Sequence, residues 1–140
     1  MGGRTTFKAL YLSDTQVGDA GLAPLAHITG LGWLMLRNTG VSNAGLVHVS
    51  RLTTLQALDL YHTHVGDAGL PYLKGLTSLQ YLNLDGTEIR DGGLPQLEGL
   101  ISLNELRLVD TRVTRSGVEQ LRRALPKAAI HYSSRPVLKQ

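Results

Sequence analysis

A repeat of 24 residues runs through this chain, and it constrains the fold more than any other feature. Each copy follows the pattern L-x-x-L-x-L-x-x-T-x-V-x-D-x-G-L-x-x-L-x-x-L, with small variations. The five copies are marked by five threonines: Thr15, Thr39, Thr63, Thr87 and Thr111. A degenerate sixth copy follows, because Ile130 and Tyr132 stand 24 residues after Leu106 and Leu108. Self-similarity at such a period indicates stacked copies of one structural unit.

Two hydrophobic periods alternate within each unit, and each period predicts a different element. Leucines two residues apart, such as Leu58 and Leu60, indicate a strand with one buried face. Leucines three residues apart, such as Leu70, Leu73 and Leu76, form one stripe of a short helix. Each unit is therefore predicted to be one coil made of a strand, a turn, a short helix and a return.

The start of each predicted helix carries a residue that is suited to an N-cap, because its side-chain oxygen can accept a bond from a free helical N–H group. These residues are Asp19, Asn43, Asp67 and Asp91. The last unit has Arg115 at this position, so we expect Thr114 or Ser116 to cap that helix.

A single coil buries too few side chains to fold alone, so stacked neighbours must share their burial and their strand hydrogen bonds. Helices are wider than the spacing between strands, so the stack should bend with its parallel strands on the concave side. We predict an α/β solenoid of six parallel strands and five short helices. It forms a single domain over residues 1–140, with five repeats from about 7 to 126, a sixth strand at 129–133 and a short polar tail.

These residues resemble the leucine-rich-repeat family over about Phe7 to Tyr132. The T-x-V-x-D-x-G-L half is similar to the repeats of bacterial leucine-rich proteins, and to a cysteine-containing subclass with threonine in place of cysteine. The resemblance implies that the five repeated threonines form a structural ladder, bonding buried backbone between coils through their hydroxyls. It also implies a non-catalytic module that recognises a protein partner on its concave sheet, although the fold alone does not fix a function.

The residues between and beside the strand leucines should point out of the concave face. The only tryptophan and three of the five tyrosines fall there, and aromatic and arginine residues are the usual energetic centres of interfaces. The predicted partner-binding residues are Tyr11, Trp33, Met35, Arg37, Asp59, Tyr61, Tyr81, Asn83, Asp85 and Arg107. The alternative is that the aromatic residues are simply good strand formers on a solvated face.

Motifs that carry chemistry are absent from the sequence. It has no cysteine, no G-x-S-x-G, no Walker A motif and no H-E-x-x-H. His62 and His64, with Glu88 one coil away, offer a partial metal site, but they fall short of the usual three or four ligands. We therefore expect no enzyme activity, no cofactor and no metal.

Basic residues are concentrated in the last third of the chain. Residues 107–140 carry eight basic and two acidic groups, which gives a net charge of +6. The alternative function is therefore binding of nucleic acid or another polyanion through this segment, although no aromatic residues are interleaved there to stack on bases. No early stretch resembles a secretory signal and no apolar run is long enough for a membrane helix, so we expect a cytoplasmic protein that does not contact a membrane.

The two ends of the predicted solenoid differ. The C-terminal end has a candidate polar cap in Arg122, Arg123 and Pro126, whereas only Met1 to Thr6 precede the first strand. Uncovered leucines and an edge strand are a template for association with another chain. We expect either a homodimer through the N-terminal coil, which includes Phe7 and Leu10, or a fragment of a longer repeat array.

Overall fold

The computed structural model describes residues 8–133, and within them one parallel sheet has six strands in chain order. The strands are β1 (Lys8–Tyr11), β2 (Leu31–Met35), β3 (Ala57–Asp59), β4 (Tyr81–Asn83), β5 (Glu105–Leu108) and β6 (Ala129–Tyr132). The register keeps the sequence period, since Leu34 pairs with Leu58, Leu58 with Leu82, and Leu82 with Leu106. The predicted α/β solenoid with six parallel strands is confirmed.

Five helical segments lie between the six strands in the described part of the chain. They are the 3₁₀ helix η1 (Asp19–His27), the 3₁₀ helix η2 (Asn43–Gly45) continuing into α1 (Leu46–Val49), the 3₁₀ helices η3 (Asp67–Leu73) and η4 (Asp91–Leu97), and α2 (Arg115–Ala124). The three longer 3₁₀ helices each contain a proline: Pro24, Pro71 and Pro95. Proline cannot donate the hydrogen bond that a helix interior needs, whereas α2 has no proline and forms ten residues of regular α-helix.

The core lies between the sheet and the helices and consists of stacked aliphatic side chains. Leu34, Leu58, Leu82 and Leu106 are fully buried, and so are the helix leucines packed against them. The first coil is the exception, because its Leu10, Leu12 and Val17 are only partly buried. No helix within residues 8–133 is long and apolar enough to cross a membrane.

The prediction that the repeated acidic and amide residues cap their own helices is wrong. The N-cap positions of the first four helical segments are Gly18, Ser42, Gly66 and Arg90, and none of them makes a side-chain capping bond. Only the last helix is capped as predicted, since the Thr114 hydroxyl accepts a hydrogen bond from the Gly117 N–H.

The repeated acidic and amide residues instead join each coil to the next. The Asp67 carboxylate accepts a bond of 2.8 Å from the backbone N–H of Arg90, 23 residues later. The same bond recurs between three other pairs: Ser42 to Asp19, Gly66 to Asn43, and Thr114 to Asp91. These four bonds form a ladder along the helix side of the solenoid.

The repeated threonines also act differently from the prediction. Each hydroxyl donates to the carbonyl oxygen three residues earlier in its own coil, as in the bond of 2.7 Å from Thr39 to Leu36. The same bond forms at the other four threonines, Thr15, Thr63, Thr87 and Thr111. The threonines therefore stabilise the turn after each strand and do not join neighbouring coils.

That turn places one residue of each coil in the left-handed region of backbone conformation. The residues are Asp14, Asn38, His62, Gly86 and Asp110, with φ between 53° and 69°. Aspartate, asparagine and histidine tolerate this conformation better than most residues, and glycine adopts it freely. A row of short or polar side chains therefore borders one end of the strands.

Candidate functional site

The outward side chains of the strands form a surface that we call the sheet face. Seven of the ten predicted partner-binding residues lie on the strands, whose alternate residues point away from the core. The other three, Arg37, Tyr61 and Asp85, stand two residues beyond a strand end and continue the same alternation. The structure separates these residues into two groups. An apolar group contains the exposed Tyr11 and Trp33 and the half-buried Met35 and Tyr81, and a polar group contains Arg37, Asp59, Tyr61, Asn83, Asp85 and Arg107.

The apolar group is built around a row in which small and large side chains alternate. The strand register aligns Ala9 with Trp33, Trp33 with Ala57, and Ala57 with Tyr81. Since the neighbours of Trp33 in this row carry only methyl groups, 47% of the tryptophan remains exposed. Tyr11, one position further along β1, is 64% exposed.

Two depressions flank Trp33 on this row. The first has a volume of about 220 Å³ and is lined by Lys8, Ala9, Tyr11, Trp33 and Gln56. The second has a volume of about 320 Å³ and is lined by Trp33, Met35, Gln56, Ala57, Gln80 and Tyr81. Trp33 and Gln56 therefore belong to both depressions.

Lys8, Gln56 and Gln80 were not among the predicted site residues, but they line these depressions. They occupy the position just before the outward row in the first, third and fourth strands. A sequence signal existed, since two glutamines stand 24 residues apart at one repeat position where an apolar residue is not required. These polar residues line the depressions because Ala9 and Ala57 leave open space beside Trp33. The repeat pattern alone does not reveal that space.

The acidic and amide members of the polar group are buried, although they point away from the core. Asp59, Asn83 and Asp85 are only 4%, 3% and 5% exposed. One Asp59 oxygen accepts from the Tyr61 N–H at 3.0 Å, and the other lies 3.4 Å from the Arg37 guanidinium. Asp59 is therefore largely enclosed by its own strand end and by a neighbouring arginine.

The other two buried polar residues are held just as firmly. Asn83 donates to the Tyr81 hydroxyl at 3.1 Å and accepts from the Asp85 N–H at 2.9 Å. Asp85 accepts from the Arg107 guanidinium at 2.8 Å and from the Val109 N–H at 2.7 Å. No buried side-chain nitrogen or oxygen within the described residues lacks a hydrogen-bond partner.

Tyr61 lies at the centre of a stack. The Arg37 guanidinium is 4.4 Å from the centre of the Tyr61 ring, within the range of a cation–π contact. The His62 ring stacks beside Tyr61, with ring centres 4.2 Å apart. Arg37 is thereby fixed between the Asp59 carboxylate and an aromatic ring, while its side chain remains 47% exposed.

Burial and charge change the pKa of three groups on this face. Burial raises the pKa of Asp59, against the opposing effects of the Tyr61 N–H and the Arg37 guanidinium. Burial also raises the pKa of the Tyr81 hydroxyl. The hydrogen bond to Asp85 raises the pKa of Arg107.

The histidines and acidic residues suggested as a partial metal site do not assemble into one. Within residues 8–133, no group of three or more histidine, aspartate or glutamate side chains is placed to hold a metal ion. His62 instead lies over Gly86, where a Cβ atom would overlap the imidazole ring. Its neighbours in a polar depression of about 300 Å³ include Glu88 and Arg112.

The basic residues of the last third are dispersed. Arg115 pairs with Glu119 on α2 at 3.0 Å, and Arg112 lies 3.9 Å from Glu88. Arg122 donates to the Ile130 carbonyl at 3.3 Å, so it ties α2 to β6. None of these contacts places the basic side chains in the row around Trp33.

Comparison with known proteins agrees with the repeat geometry. A family model described as leucine rich repeat matches residues 4–26, 51–73 and 75–94. The chain therefore carries leucine-rich repeats. No curated protein matches its sequence significantly.

Solved structures with the same fold include two internalins of Listeria monocytogenes. The internalin inlF is 23% identical with a TM-score of 0.74, over 94% of this chain and 36% of that protein. The internalin inlC2 is 23% identical with a TM-score of 0.63, over 92% of this chain and 64% of that protein. This chain thus spans less than two thirds of either internalin, and the likeness establishes the fold.

The family and the fold together support a protein-binding module in general terms. Repeats of this kind typically form interaction scaffolds and not enzymes.

Proposed function

We propose that this chain binds a protein partner on its sheet face, with Trp33 at the centre of the contact. The observation that carries the proposal is the half-exposed Trp33, which stands between two depressions and is flanked in its row by Ala9 and Ala57. A large aromatic side chain that the fold leaves uncovered can bury much additional apolar surface against a partner.

Tyr11 and Tyr81 extend this apolar contact on both sides of Trp33. Tyrosine and tryptophan contribute most often to binding energy at interfaces, and they do so when a partner excludes water from around them. Met35 lines the depression between Trp33 and Tyr81, and its flexible side chain can adapt to a partner's shape.

The polar group has a supporting role in this proposal. Asp59, Asn83 and Asp85 are too buried to contact a partner broadly, so they act by holding their neighbours. Asp59 fixes Arg37, Asp85 fixes Arg107, and the guanidinium groups remain partly exposed. A side chain that is already held in place loses less conformational entropy on binding.

The experiment is capture of partners from a lysate of the source cells on the immobilised full chain. We expect Trp33→Ala to weaken binding of the specific partner by about 2 kcal/mol, and Tyr81→Ala to do the same. The matched control is Tyr72→Ala, because Tyr72 lies on η3 away from the sheet and is 40% exposed.

Retention of the same partners by the Trp33→Ala chain, or their equal loss from the Tyr72→Ala chain, would contradict the proposal. Salt provides a second readout. Binding to nucleic acid weakens steeply as salt rises, whereas binding to an aromatic surface changes much less.

We further propose that two copies associate through the first coil. Support comes from burial, since Leu10, Leu12 and Val17 are only partly covered whereas their counterparts in the middle coils are fully buried. β1 is also an edge strand, paired with β2 alone in the described residues. The contribution predicted for Phe7 concerns a residue outside the described part of the chain.

A further inference from the structure

We infer that the sheet face takes a polyproline II segment of its partner, with apolar side chains three residues apart in the two depressions beside Trp33. This inference rests on the proposed function and names the conformation and chemistry of the partner. Four observations support it: the spacing of the depressions, their aromatic lining, the free hydrogen-bond donors and an unpaired cation.

The spacing of the depressions comes from the strand register. Ala9 lines one depression and Ala57 the other, and both pair with Trp33 between them. Adjacent strands are about 4.8 Å apart, so the two alanines are separated by about 9.6 Å across the sheet. The register fixes this distance independently of any side-chain conformation.

A polyproline II helix matches that distance. It rises about 3.1 Å per residue with three residues per turn, so side chains three apart lie on one side about 9.3 Å from each other. In a β-strand, side chains two apart share a face at only about 6.8 Å. In an α-helix, the side chains on one face whose separation comes nearest to about 9.6 Å are seven residues apart, at about 10.5 Å.

The lining of the depressions also favours this conformation. Tyr11, Trp33 and Tyr81 stand on the rims with alanine methyl groups between them. Grooves lined by aromatic residues are the usual receptors for polyproline II segments, whose flat proline rings pack against them. The segment is already extended when free, so it loses little entropy on binding.

Hydrogen-bond donors stand beside the same row. Within the described residues, neither the side-chain amides of Gln56 and Gln80 nor the Trp33 indole N–H makes a hydrogen bond. A polyproline II backbone has no internal hydrogen bonds, so its carbonyl groups need outside donors. Three such donors along one groove meet that need.

Lys8 adds charge at one end of the groove. Its side chain lines the depression nearest β1, and it has no ion pair among the described residues. We therefore assign an acidic residue to the end of the segment that lies beside β1. A carboxylate there would complement the unpaired ammonium group and fix the direction of the segment.

The experiment measures binding of synthetic peptides to the full chain. The probe is a proline-rich peptide with leucine at every third position and an aspartate before the first leucine. One control peptide has the same composition with the leucines two residues apart. A second control is an amphipathic helical peptide with leucines seven residues apart.

The single tryptophan makes the site directly observable, because its indole N–H gives one NMR signal. We expect the probe to bind saturably, to shift that signal, and to bind at least about tenfold more tightly than either control. Ala57→Leu should fill one depression and weaken the probe by about tenfold or more. Ala129→Leu is the matched control, since Ala129 occupies the same row on β6 outside both depressions.

Several results would overturn the inference: no binding of the probe, equal binding of both proline-rich peptides, or tighter binding of the helical peptide. If the probe fails while Trp33→Ala still abolishes partner capture, the polyproline inference is wrong and the sheet face remains the binding surface. If Trp33→Ala leaves partner capture intact, the proposed function itself fails, whatever the peptides do.

Discussion

The Asp67 carboxylate packs against Gly93 of the next coil, in space that is open because glycine has no Cβ atom. A Cβ atom at Gly93 would overlap an Asp67 oxygen, the same oxygen that accepts the Arg90 N–H. The relationship recurs at Gly45, Gly69 and Gly117 with the residues of the ladder before them. The aspartate of one D-x-G motif therefore contacts the glycine of the same motif in the next coil. Each glycine leaves room for the hydrogen-bond acceptor of the coil before it.

Gly93→Ala is expected to destabilise the protein by about 1–3 kcal/mol, because the methyl group forces the ladder to shift. The matched control is Gly99→Ala, where a Cβ meets nothing within 4 Å. That variant should stay within about 1 kcal/mol of wild type. Urea unfolding measures both free energies.

The same prediction can be checked with a double-mutant cycle. Removing the carboxylate with Asp67→Ala should relieve the clash, so the double variant should lose less stability than the sum of the single variants. Strict additivity would show that Gly93 and Asp67 do not interact as described.

Trp33 and Leu34 are adjacent in β2, but truncation of each should change stability by very different amounts. Leu34 is fully buried, so Leu34→Ala should lower the free energy of unfolding by about 2–5 kcal/mol. Trp33→Ala should lower it by about 1 kcal/mol or less, because the ring stands on the solvent side. A loss for Trp33→Ala as large as that for Leu34→Ala would mean that the tryptophan serves the core.

The sequence predicted the fold because its signals are local and repeated. The two hydrophobic periods and the constant repeat length are enough to set strands, helices and parallel register. The role of Asp67 was not predictable in this way. A carboxylate at a helix start can bond its own helix or the next coil, and only the packing of coils decides between them.

The sheet face shows the same limit. Alternation along a strand correctly assigned Trp33 and Asp59 to the outward side. It could not show that Asp59 is buried there, where its carboxylate contacts the Arg37 guanidinium of the coil before and the backbone N–H of Tyr61. The open space beside Trp33 likewise depends on which side chains stand opposite each other in adjacent strands.

The raised pKa of Asp59 predicts a pH dependence of stability. Its folded state holds the proton more tightly than the unfolded state, so this group's contribution falls as pH rises above the ordinary value of 3.8. Asp59→Asn keeps an acceptor for the Tyr61 N–H and removes the ionisable group. The variant should therefore gain stability relative to wild type as pH rises above 3.8, until Asp59 is ionised in the folded protein as well.

Urea unfolding of both proteins across this pH range provides the measurement, and NMR of the Asp59 carboxyl carbon reports its titration directly. A stability difference between the two proteins that does not change with pH would contradict the assignment. So would a difference that moves against the variant as pH rises.

Self-association is the last expectation, and the backbone of β1 gives a specific way to test it. The N–H groups that correspond to Ala9 in later coils, those of Tyr81, Glu105 and Ala129, donate to the coil before them. Since β1 pairs with β2 alone in the described residues, we expect the N–H of Ala9 to face the edge away from β2. Ala9→Pro removes a donor from that edge without breaking a bond to β2. We expect sedimentation of the wild-type chain at micromolar concentration to show dimers, and Ala9→Pro to shift the population to monomers with little loss of stability. A wild-type chain that stays monomeric as its concentration rises would rule out association through the first coil, and a dimer that Ala9→Pro leaves intact would place the contact elsewhere than the edge of β1.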